Sequence, residues 1–454
     1  MTGYTSRRAP EPVPSLFTPV WEPVPADAPG TPVPSREDHV LVVGGTAGQR
    51  AAIALDHPRA RMWSPAPTAP ADEVARALRE AGPVDHLVWI APGTAPHPTD
   101  AAAFTAAQEE GVVAAFRMVK ALVRGGYDSR PLGITLVTQR SLATDAQEDV
   151  RPAHAGLHGL FGSLGREYTR WTVRRVDLES GEWPADLTAL PAHSHGDSWV
   201  QRSGQWLGRR LAPCDASPAP AAGYREGGVY VVIGGAGGLG AAWTRHVVER
   251  FGARVVWIGR RPQDAAVEAQ LREARGNGRG EVHYIAADAA DPAALHRAHA
   301  EIKARYGRIH GVVQAALVLR DRTLAHMDEA DFRAALSAKV DASVAMAQVF
   351  AGEALDFALF FSSLQSFTTA AGQGNYAAGC TFADAYAQLL DRHWDCPVKV
   401  MNWGWWGSIG SAASDFHKQH MARWGGWCRS SRRRPWRPWT PSWAARRRRS
   451  ASSR

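Results

Sequence analysis

The chain has 454 residues, of which 45% are hydrophobic and 21% charged, and this composition predicts a globular protein of two or three domains. Its formal net charge of +8 argues only weakly for a nucleic-acid partner, because the excess is local. Residues 416–454 hold eleven arginines, one lysine and no acidic residue, which leaves a net charge of −4 for residues 1–415.

The first 38 residues predict an extended linker, because nine prolines lie there among alanines, serines and acidic residues. One apolar patch, residues 16–21, is a candidate docking strand. Pro19 restricts it to the edge of a sheet, since proline cannot donate a hydrogen bond to a neighbouring strand.

Two α/β segments follow, residues 39–212 and 227–412, separated by a second linker over residues 213–226. Short apolar runs predict buried parallel strands at 39–43, 84–90, 133–138, 173–178, 229–233, 254–258, 282–286, 310–313, 357–361 and 398–402. Helices are predicted between them, among others at 72–81, 101–123, 153–168, 239–251, 292–306, 329–350 and 376–391. Alternating strands and helices predict two Rossmann-like doubly wound parallel sheets.

A glycine-rich turn between the strand 229–233 and the helix 239–251 predicts a dinucleotide site. A helix N-terminus offers free N–H groups to a pyrophosphate, and glycines allow close approach. A tight turn that needs glycine only for its backbone conformation is the alternative. The predicted cofactor-binding residues here are Gly234, Gly235, Gly237, Gly238, Leu239 and Gly240.

Two arginines, Arg260 and Arg261, end the next predicted strand, where an NAD-binding site would place an acidic residue. A cationic pair fits a 2′-phosphate, so the sequence favours NADPH, although a solvated pair is the alternative. We expect Asp288 to accept from the adenine amino group, and Ala289, Ala315 and Ala316 to line the cofactor.

The first segment has Gly44-Gly45-Thr46-Ala47-Gly48 at the equivalent turn and lacks the later glycine. We therefore interpret residues 39–212 as a degenerate, structural copy of the second segment.

Three polar residues predict carbonyl reduction. Ser363 ends a predicted strand, Tyr376 begins a helix thirteen residues later, and Lys339 is expected on a separate helix. Tyr376 would act as general acid, Ser363 would orient the carbonyl, and the ammonium of Lys339 would lower the pKa of the tyrosine.

The chain resembles the ketoreductase domains of modular polyketide synthases, within the short-chain dehydrogenase/reductase superfamily, over about residues 14–412. The motifs that carry this resemblance are GGAGGLG (234–240), WIGRRP (257–262), AADAADPAAL (286–295), GVVQAALVLRD (311–321), SAKVD (337–341), FFSSLQS (360–366) and GQGNYAAGCTFADAYA (372–387). The resemblance implies reduction, by NADPH, of a 3-ketoacyl group held on the phosphopantetheine arm of an acyl carrier protein. It also implies other polyketide synthase domains as partners, and it places Lys339, Ser363 and Tyr376 at the family's catalytic positions.

The chain departs from the family pattern at Cys380, where the family usually has an asparagine that orders a proton-relay water. A thiol is a weaker hydrogen-bonding group, so the relay is altered here. Ile233 replaces a threonine and Gln314 a histidine of the family pattern.

Stereochemistry in the family follows two sequence marks. One group has a Leu-Asp-Asp motif, of which Leu319-Arg320-Asp321 keeps the last aspartate, and the opposite group has a tryptophan where this chain has Thr368. The resemblance therefore favours a D-3-hydroxy product, with Asp321 in stereocontrol.

The tail, residues 413–454, breaks the α/β pattern and has five tryptophans among its arginines. It is either an arm for phosphates or a membrane surface, or an out-of-frame segment of a GC-rich gene. We favour the second interpretation and expect no nucleic-acid partner.

The four cysteines, Cys214, Cys380, Cys396 and Cys428, show no CxxC spacing, so we expect neither a metal site nor a disulfide framework. No run of 18 apolar residues and no apolar N-terminal core occur, so the sequence predicts a cytoplasmic protein without a membrane span. Two other functions stay open, a non-reducing structural domain of a megasynthase and a free-standing short-chain dehydrogenase. The duplicated first segment argues against the second of these.

Overall fold

The computed structural model describes residues 16–24, 34–190, 197–214 and 223–404. The tail 413–454, with Cys428, and most of the two predicted linkers therefore lie outside the described residues. Val20–Arg210 and Gly223–Trp403 form one compact unit that holds both sheets. A second unit is made of Met1–Pro19, Leu211–Ala222 and Gly404–Arg454, of which little more than two strand ends is described.

The first sheet has eight strands, in the order β1-β8-β7-β6-β5-β4-β2-β3. Their bounds are β1 Leu16–Pro23, β2 Val40–Gly44, β3 Arg61–Trp63, β4 His86–Ile90, β5 Leu132–Gln139, β6 Trp171–Leu178, β7 Ser198–Arg202 and β8 Gln205–Cys214. Strands β2 to β7 run parallel, and β7 and β8 form an antiparallel hairpin. The hairpin and β3 did not show in the sequence pattern, whereas β1 lies at the sheet edge as predicted.

The helices of this first subdomain are α1 Ala47–Asp56, α2 Ala71–Glu80, α3 Ala101–Gln108, α4 Ala114–Arg124 and α5 Gly156–Glu167. The single helix predicted over 101–123 is continuous, but the turn Glu109–Val113 that joins α3 to α4 is π-helical.

The second sheet has six parallel strands, in the order β11-β10-β9-β12-β13-β14. Their bounds are β9 Val229–Ile233, β10 Arg254–Gly259, β11 Glu281–Ala286, β12 Gly311–Gln314, β13 Phe357–Ser363 and β14 Val398–Trp403. The strand order reverses between β9 and β12. In sheets of this kind ligands bind beyond the carboxyl ends of the strands at such a switch point.

The second subdomain has helices α6 Gly238–Phe251, α7 Ala265–Arg275, α8 Pro292–Tyr306, α9 Glu329–Ser337, α10 Asp341–Phe350, α11 Gln365–Thr368 and α12 Gly374–His393. The single helix predicted over 329–350 is wrong, because the chain turns between α9 and α10 and Lys339 lies in that turn. Side chains take up the carbonyls at the break: Gln314 Nε2 donates to Ala338 O at 2.9 Å, and Ser343 Oγ donates to Lys339 O.

The two subdomains share a packed interface between α5 and α12. Glycines at 156, 159 and 162 of α5 face the second subdomain, and a Cβ at Gly159 would lie 2.3 Å from the Ala377 carbonyl. Aromatic rings add to the contact, since Phe116 stacks on Phe332 with centroids 4.4 Å apart.

The predicted class, two Rossmann-like α/β subdomains, is confirmed. The exact domain boundaries stay predictions, and β8 continues to Cys214, beyond the predicted limit at residue 212.

Candidate active site

The glycine turn after β9 has the form predicted for a dinucleotide site. Gly234 has φ +82°, and a Cβ there would lie 2.7 Å from the backbone of Ala316. A Cβ at Gly235 would lie 2.2 Å from the indole ring of Trp257. Only glycine fits at these two positions, because a Cβ would overlap with the end of β12 or with Trp257.

Helix α6 begins at Gly238, with Gly237 as its N-cap and no side-chain cap. A Cβ at Gly240 would lie 2.9 Å from Gly235, so the first turn of the helix packs directly on the glycine turn. The N–H groups at the helix start are therefore presented toward the carboxyl edge of the sheet. All six predicted residues of this segment, Leu239 included, lie at this turn, and Ala315 and Ala316 border it from the end of β12.

The carboxyl ends of β10 and β11 carry the remaining predicted cofactor residues. Arg260 and Arg261 are both exposed, and the Arg261 carbonyl accepts from the Tyr284 hydroxyl at 2.6 Å. Asp288 is exposed and accepts from the Ala290 N–H at 3.0 Å, while Ala289 is buried. The guanidinium groups thus lie along the edge from which the glycine turn opens.

Ser363 and Tyr376 come together, as their spacing predicted. Ser363 is the last residue of β13, and Tyr376 lies in the first turn of α12. The Ser363 hydroxyl acts on the neighbouring Tyr376 hydroxyl in the direction that favours the phenolate. Burial is the larger effect and raises the pKa of Tyr376 well above its ordinary value. Burial thus keeps the proton on Tyr376 at neutral pH, and the effect expected of Lys339 on this pKa stays a prediction.

Lys339 lies behind this pair and is only 3% exposed. Its Nζ donates to the carbonyl oxygen of Phe361 at 2.6 Å, and its stem packs against the position of Gly379 in α12. Burial lowers the pKa of Lys339, against the opposing effect of Cys380 and Asp384. The ammonium thus lies beside β13 and α12, and its described hydrogen bond is to the strand backbone.

Cys380 follows Tyr376 by one helical turn and is completely buried. Burial raises the pKa of its thiol to about 11, so at neutral pH it is a thiol and not a thiolate. The Tyr376 and Ser362 hydroxyls neighbour this thiol and act in the opposite direction, toward a lower pKa. Cys380 is therefore next to Tyr376, the predicted proton donor.

Sequence reasoning missed two residues that extend this polar group. Asp384 lies one turn beyond Cys380, on the same face of α12, and burial raises its pKa. Its Oδ2 accepts from Nδ2 of Asn402 in β14 at 2.7 Å. The signal available in the sequence was a Tyr, Cys and Asp series at intervals of four along the predicted helix.

Asp321 lies in the loop that joins β12 to α9, and its Oδ2 accepts from Nε2 of Gln373 at 2.7 Å. Asn375 Nδ2 donates to the carbonyl oxygen of Arg320 at 3.0 Å. The predicted stereocontrol residue is therefore joined to the segment that leads into Tyr376.

The equivalent turn of the first subdomain is closed by its own side chains. Thr46 N–H donates to Gln49 Oε1 at 2.9 Å, and Gln49 N–H donates to Thr46 Oγ1 at 3.2 Å. This capping box occupies N–H groups that a pyrophosphate would need. A cavity of about 450 Å³ remains beside it. These contacts agree with a structural role for this copy.

Among the described residues, no three His, Cys, Asp or Glu side chains are grouped so that they could hold a metal ion. No helix in the same ranges is both long and apolar enough to cross a membrane.

This chain is similar to known proteins in sequence and in fold. Residues 228–408 match the KR domain family. The chain is 40% identical over 395 residues to polyketide synthase PksN of Bacillus subtilis, covering 87% of this chain and 7% of that protein. It is 46% identical over 341 residues to polyketide synthase ThaG of Burkholderia thailandensis, covering 75% of this chain and 6% of that protein. The chain thus spans less than a tenth of the length of these relatives.

A solved structure described as A-type ketoreductases from a modular polyketide synthase is 26% identical, with a TM-score of 0.71. The match covers 90% of this chain and 86% of the solved one, so it includes both subdomains.

Proposed function

The chain belongs to the KR domain family of polyketide synthases through residues 228–408, and we propose that it reduces a 3-ketoacyl thioester to the 3-hydroxyacyl thioester with NADPH. The observation that carries this proposal is the contact between Tyr376 and Ser363 at the carboxyl edge of the second sheet, beside the bare glycine turn.

The site fits a dinucleotide. A Cβ at Gly234 would meet the Ala316 backbone and one at Gly235 the Trp257 ring, so glycine keeps this turn tight, and α6 begins beside it with N–H groups that no side chain caps. Gly237, Gly238, Leu239 and Gly240 would complete this cradle, and Ala289, Ala315 and Ala316 would line the rest of the cofactor. The exposed Arg260 and Arg261 would bind the 2′-phosphate, and Asp288 would accept from the adenine amino group.

NADPH, when bound, supplies the hydride that reaches the keto carbon. Ser363 donates to the carbonyl oxygen and holds it in place, and Tyr376 Oη transfers its proton to the alkoxide that develops there. The raised pKa of Tyr376 keeps this proton on the phenol at neutral pH. Lys339 sets a positive charge behind the pair while it is tied to Phe361, and so favours the phenolate left by proton transfer.

The substrate is proposed to be a 3-ketoacyl chain on the phosphopantetheine arm of an acyl carrier protein. The similarity to polyketide synthases supports this class of substrate and other synthase domains as partners. Asp321, held by Gln373 beside the catalytic helix, supports the D-3-hydroxy product. The cytoplasmic location stays a prediction.

The test is a reduction assay with a diketide thioester, in which NADPH oxidation is followed by absorbance and the alcohol by chiral chromatography. We expect reduction to a D-3-hydroxy thioester. Tyr376→Phe should lower kcat by about 10²–10⁴-fold and leave NADPH binding intact, because the ring stays and only the proton donor is lost. Equal activity of the variant would rule out Tyr376 as the acid.

Cys380 favours a second candidate, a non-reducing structural domain of a synthase, because a buried thiol stands where the family has its relay asparagine. Isothermal titration with NADPH separates the two. Binding together with turnover supports the reductase, whereas a protein that neither binds nor oxidises NADPH supports the structural domain.

A further inference from the structure

One carboxylate of the first subdomain binds two loops that border the candidate active site. Glu167 is the last residue of α5, and its Oε2 accepts from the Leu324 N–H at 2.8 Å. Its Oε1 accepts from the Gly372 N–H at 2.9 Å. Each oxygen thus holds the backbone of a different loop.

Both loops carry residues of the site. The loop with Leu324 joins β12 to α9 and contains Asp321, and the loop with Gly372 leads into α12 and Tyr376. Gln373 connects the same loops through its bond to Asp321. Glu167 therefore acts on both segments whose separation decides how Asp321 faces Tyr376.

A second side chain of the first subdomain secures one of these loops. Lys120 donates from Nζ to the carbonyl oxygens of Leu324, Ala325 and Met327, at 3.2, 2.5 and 2.9 Å. The backbone of this loop is therefore held at its N–H side by a carboxylate and at its C=O side by an ammonium. Leu324 itself is completely buried, so the loop has little freedom to take another course.

The Gly372 loop depends more strongly on Glu167. Gly372 has φ +78°, and the neighbouring Thr369 has φ +43°, a backbone conformation that is unfavourable for a residue with a Cβ. Ser163 Oγ donates to Ala370 O at 3.0 Å, so α5 supports this turn at two points. Without the carboxylate, the strained turn would lose the acceptor for the N–H of Gly372.

We propose that Glu167 is a positioning residue for ketoreduction, which fixes the spacing between Asp321 and Tyr376 and thereby selects the face of the carbonyl that is reduced. This inference rests on the proposed function. Glu167 does not touch the reacting atoms, and it acts through the two backbone N–H groups.

The test replaces Glu167 with glutamine. The amide has the shape of the carboxylate but keeps only one acceptor oxygen, so one loop faces an NH₂ group in place of an acceptor. We expect kcat for a 3-ketoacyl thioester to fall by about tenfold, since small displacements of catalytic groups are costly. We also expect the fraction of the minor 3-hydroxy stereoisomer to rise severalfold while the Kd for NADPH stays unchanged.

Glu109→Gln is the matched control. Glu109 also joins the subdomains, through Nη2 of Arg333 at 2.8 Å, but it holds no loop of the site. The stereochemical purity of the 3-hydroxy product made by Glu109→Gln should equal that of the wild-type product. An equal loss of purity in Glu109→Gln, or unchanged purity in Glu167→Gln, would overturn the proposal.

Amide hydrogen exchange on the wild-type chain tests the contacts without any variant, and so serves if Glu167→Gln does not fold. The amides of Leu324 and Gly372 should exchange slowly, and rapid exchange at both would also overturn the proposal. A wild-type chain that oxidises no NADPH would refute the proposed function, whereas an active wild type with an unaltered Glu167→Gln variant refutes only the role of Glu167.

Discussion

Gly159 in α5 lies directly against Ala377 in α12, so closely that a Cβ on Gly159 would be 2.3 Å from the carbonyl carbon of Ala377. Ala377 is the residue after Tyr376. The backbone of the first subdomain therefore contacts α12 one residue after Tyr376, the proposed proton donor.

Gly159→Ala should destabilise the fold and lower activity together. Alanine is favoured over glycine in a helix by about 1 kcal/mol, but overpacking of an interior costs about 1–3 kcal/mol. We expect the steric cost to prevail, because the atoms in the way belong to backbone and cannot rotate aside. Urea unfolding measures the stability, and kcat with a ketoacyl thioester measures the displacement of Tyr376.

Gly48→Ala is the control for this substitution. Gly48 lies in α1, and a Cβ there would meet nothing closer than the Thr46 hydroxyl at 3.9 Å. This variant should be as stable as the wild type or more so. Equal destabilisation by both variants would show that the approach of α5 to α12 is not the cause.

Cys380→Asn should raise kcat. The thiol is buried and neutral, its pKa being raised to about 11, and it is a weak hydrogen-bonding partner for Tyr376. An amide at this position can both accept and donate, and can return a proton to Tyr376 through an ordered water. We expect an increase of about tenfold, the size of a modest general acid–base contribution.

Cys380→Ala separates this effect from packing. It removes the thiol without adding a relay, so its kcat should not exceed that of the wild type. Should Cys380→Asn be no faster than Cys380→Ala under single-turnover conditions, proton return through this position would not limit the reaction.

The sequence predicted the second subdomain well because its signals are local. Six strands there are short apolar runs, and a glycine turn such as Gly234–Gly240 must follow a buried strand to work. Ser363 and Tyr376 could be paired because each lies at an element end on the carboxyl edge of the sheet. Helix α12 was likewise predicted to within two residues at each end.

Features that depend on distant contacts could not be predicted. The break at Lys339 depends on Gln314, whose side chain donates a hydrogen bond to the Ala338 carbonyl. The roles of Glu167 and Gly159 exist only through contacts with residues more than 150 positions away in the chain. The pKa of Tyr376 depends on how deeply the residue is buried, which no spacing reveals. Asp384 was missed because its four-residue spacing from Cys380 gains a meaning only when the burial of that face of α12 is known.

Acid should destabilise the fold through buried histidines of the first subdomain. Burial lowers the pKa of His86 to about 3 and that of His154 to about 4, from 6.5. Between these values and pH 6.5 the unfolded chain binds a proton that the folded chain does not, so stability is present above pH 6.5 and falls as the pH is lowered. Each histidine contributes a slope of about 1.4 kcal/mol per pH unit.

His154→Gln isolates one of these contributions. Glutamine does not titrate and can still reach the Thr94 hydroxyl that His154 Nε2 contacts at 2.8 Å. Urea unfolding should show a constant difference between variant and wild type above pH 7.5. Below pH 6.5 the variant should gain on the wild type, and parallel curves down to pH 4.5 would contradict the assigned pKa of His154.

Arg260→Ala/Arg261→Ala should change cofactor preference and leave the reduction itself intact. The two arginines directly follow β10 at its carboxyl end, are exposed, and can form charge-assisted bonds to a 2′-phosphate that NADH lacks. Loss of both should lower kcat/KM for NADPH by about 10²-fold, since hydrogen bonds to charged groups contribute about 1.5–3 kcal/mol each and overlap here. The value for NADH should stay within about twofold of the wild type, because its ribose makes no such contact.

Arg254→Ala is the control, since Arg254 is also exposed and begins the same strand at the opposite edge of the sheet. A parallel loss with both cofactors would show that the pair stabilises the end of β10 and does not read the phosphate.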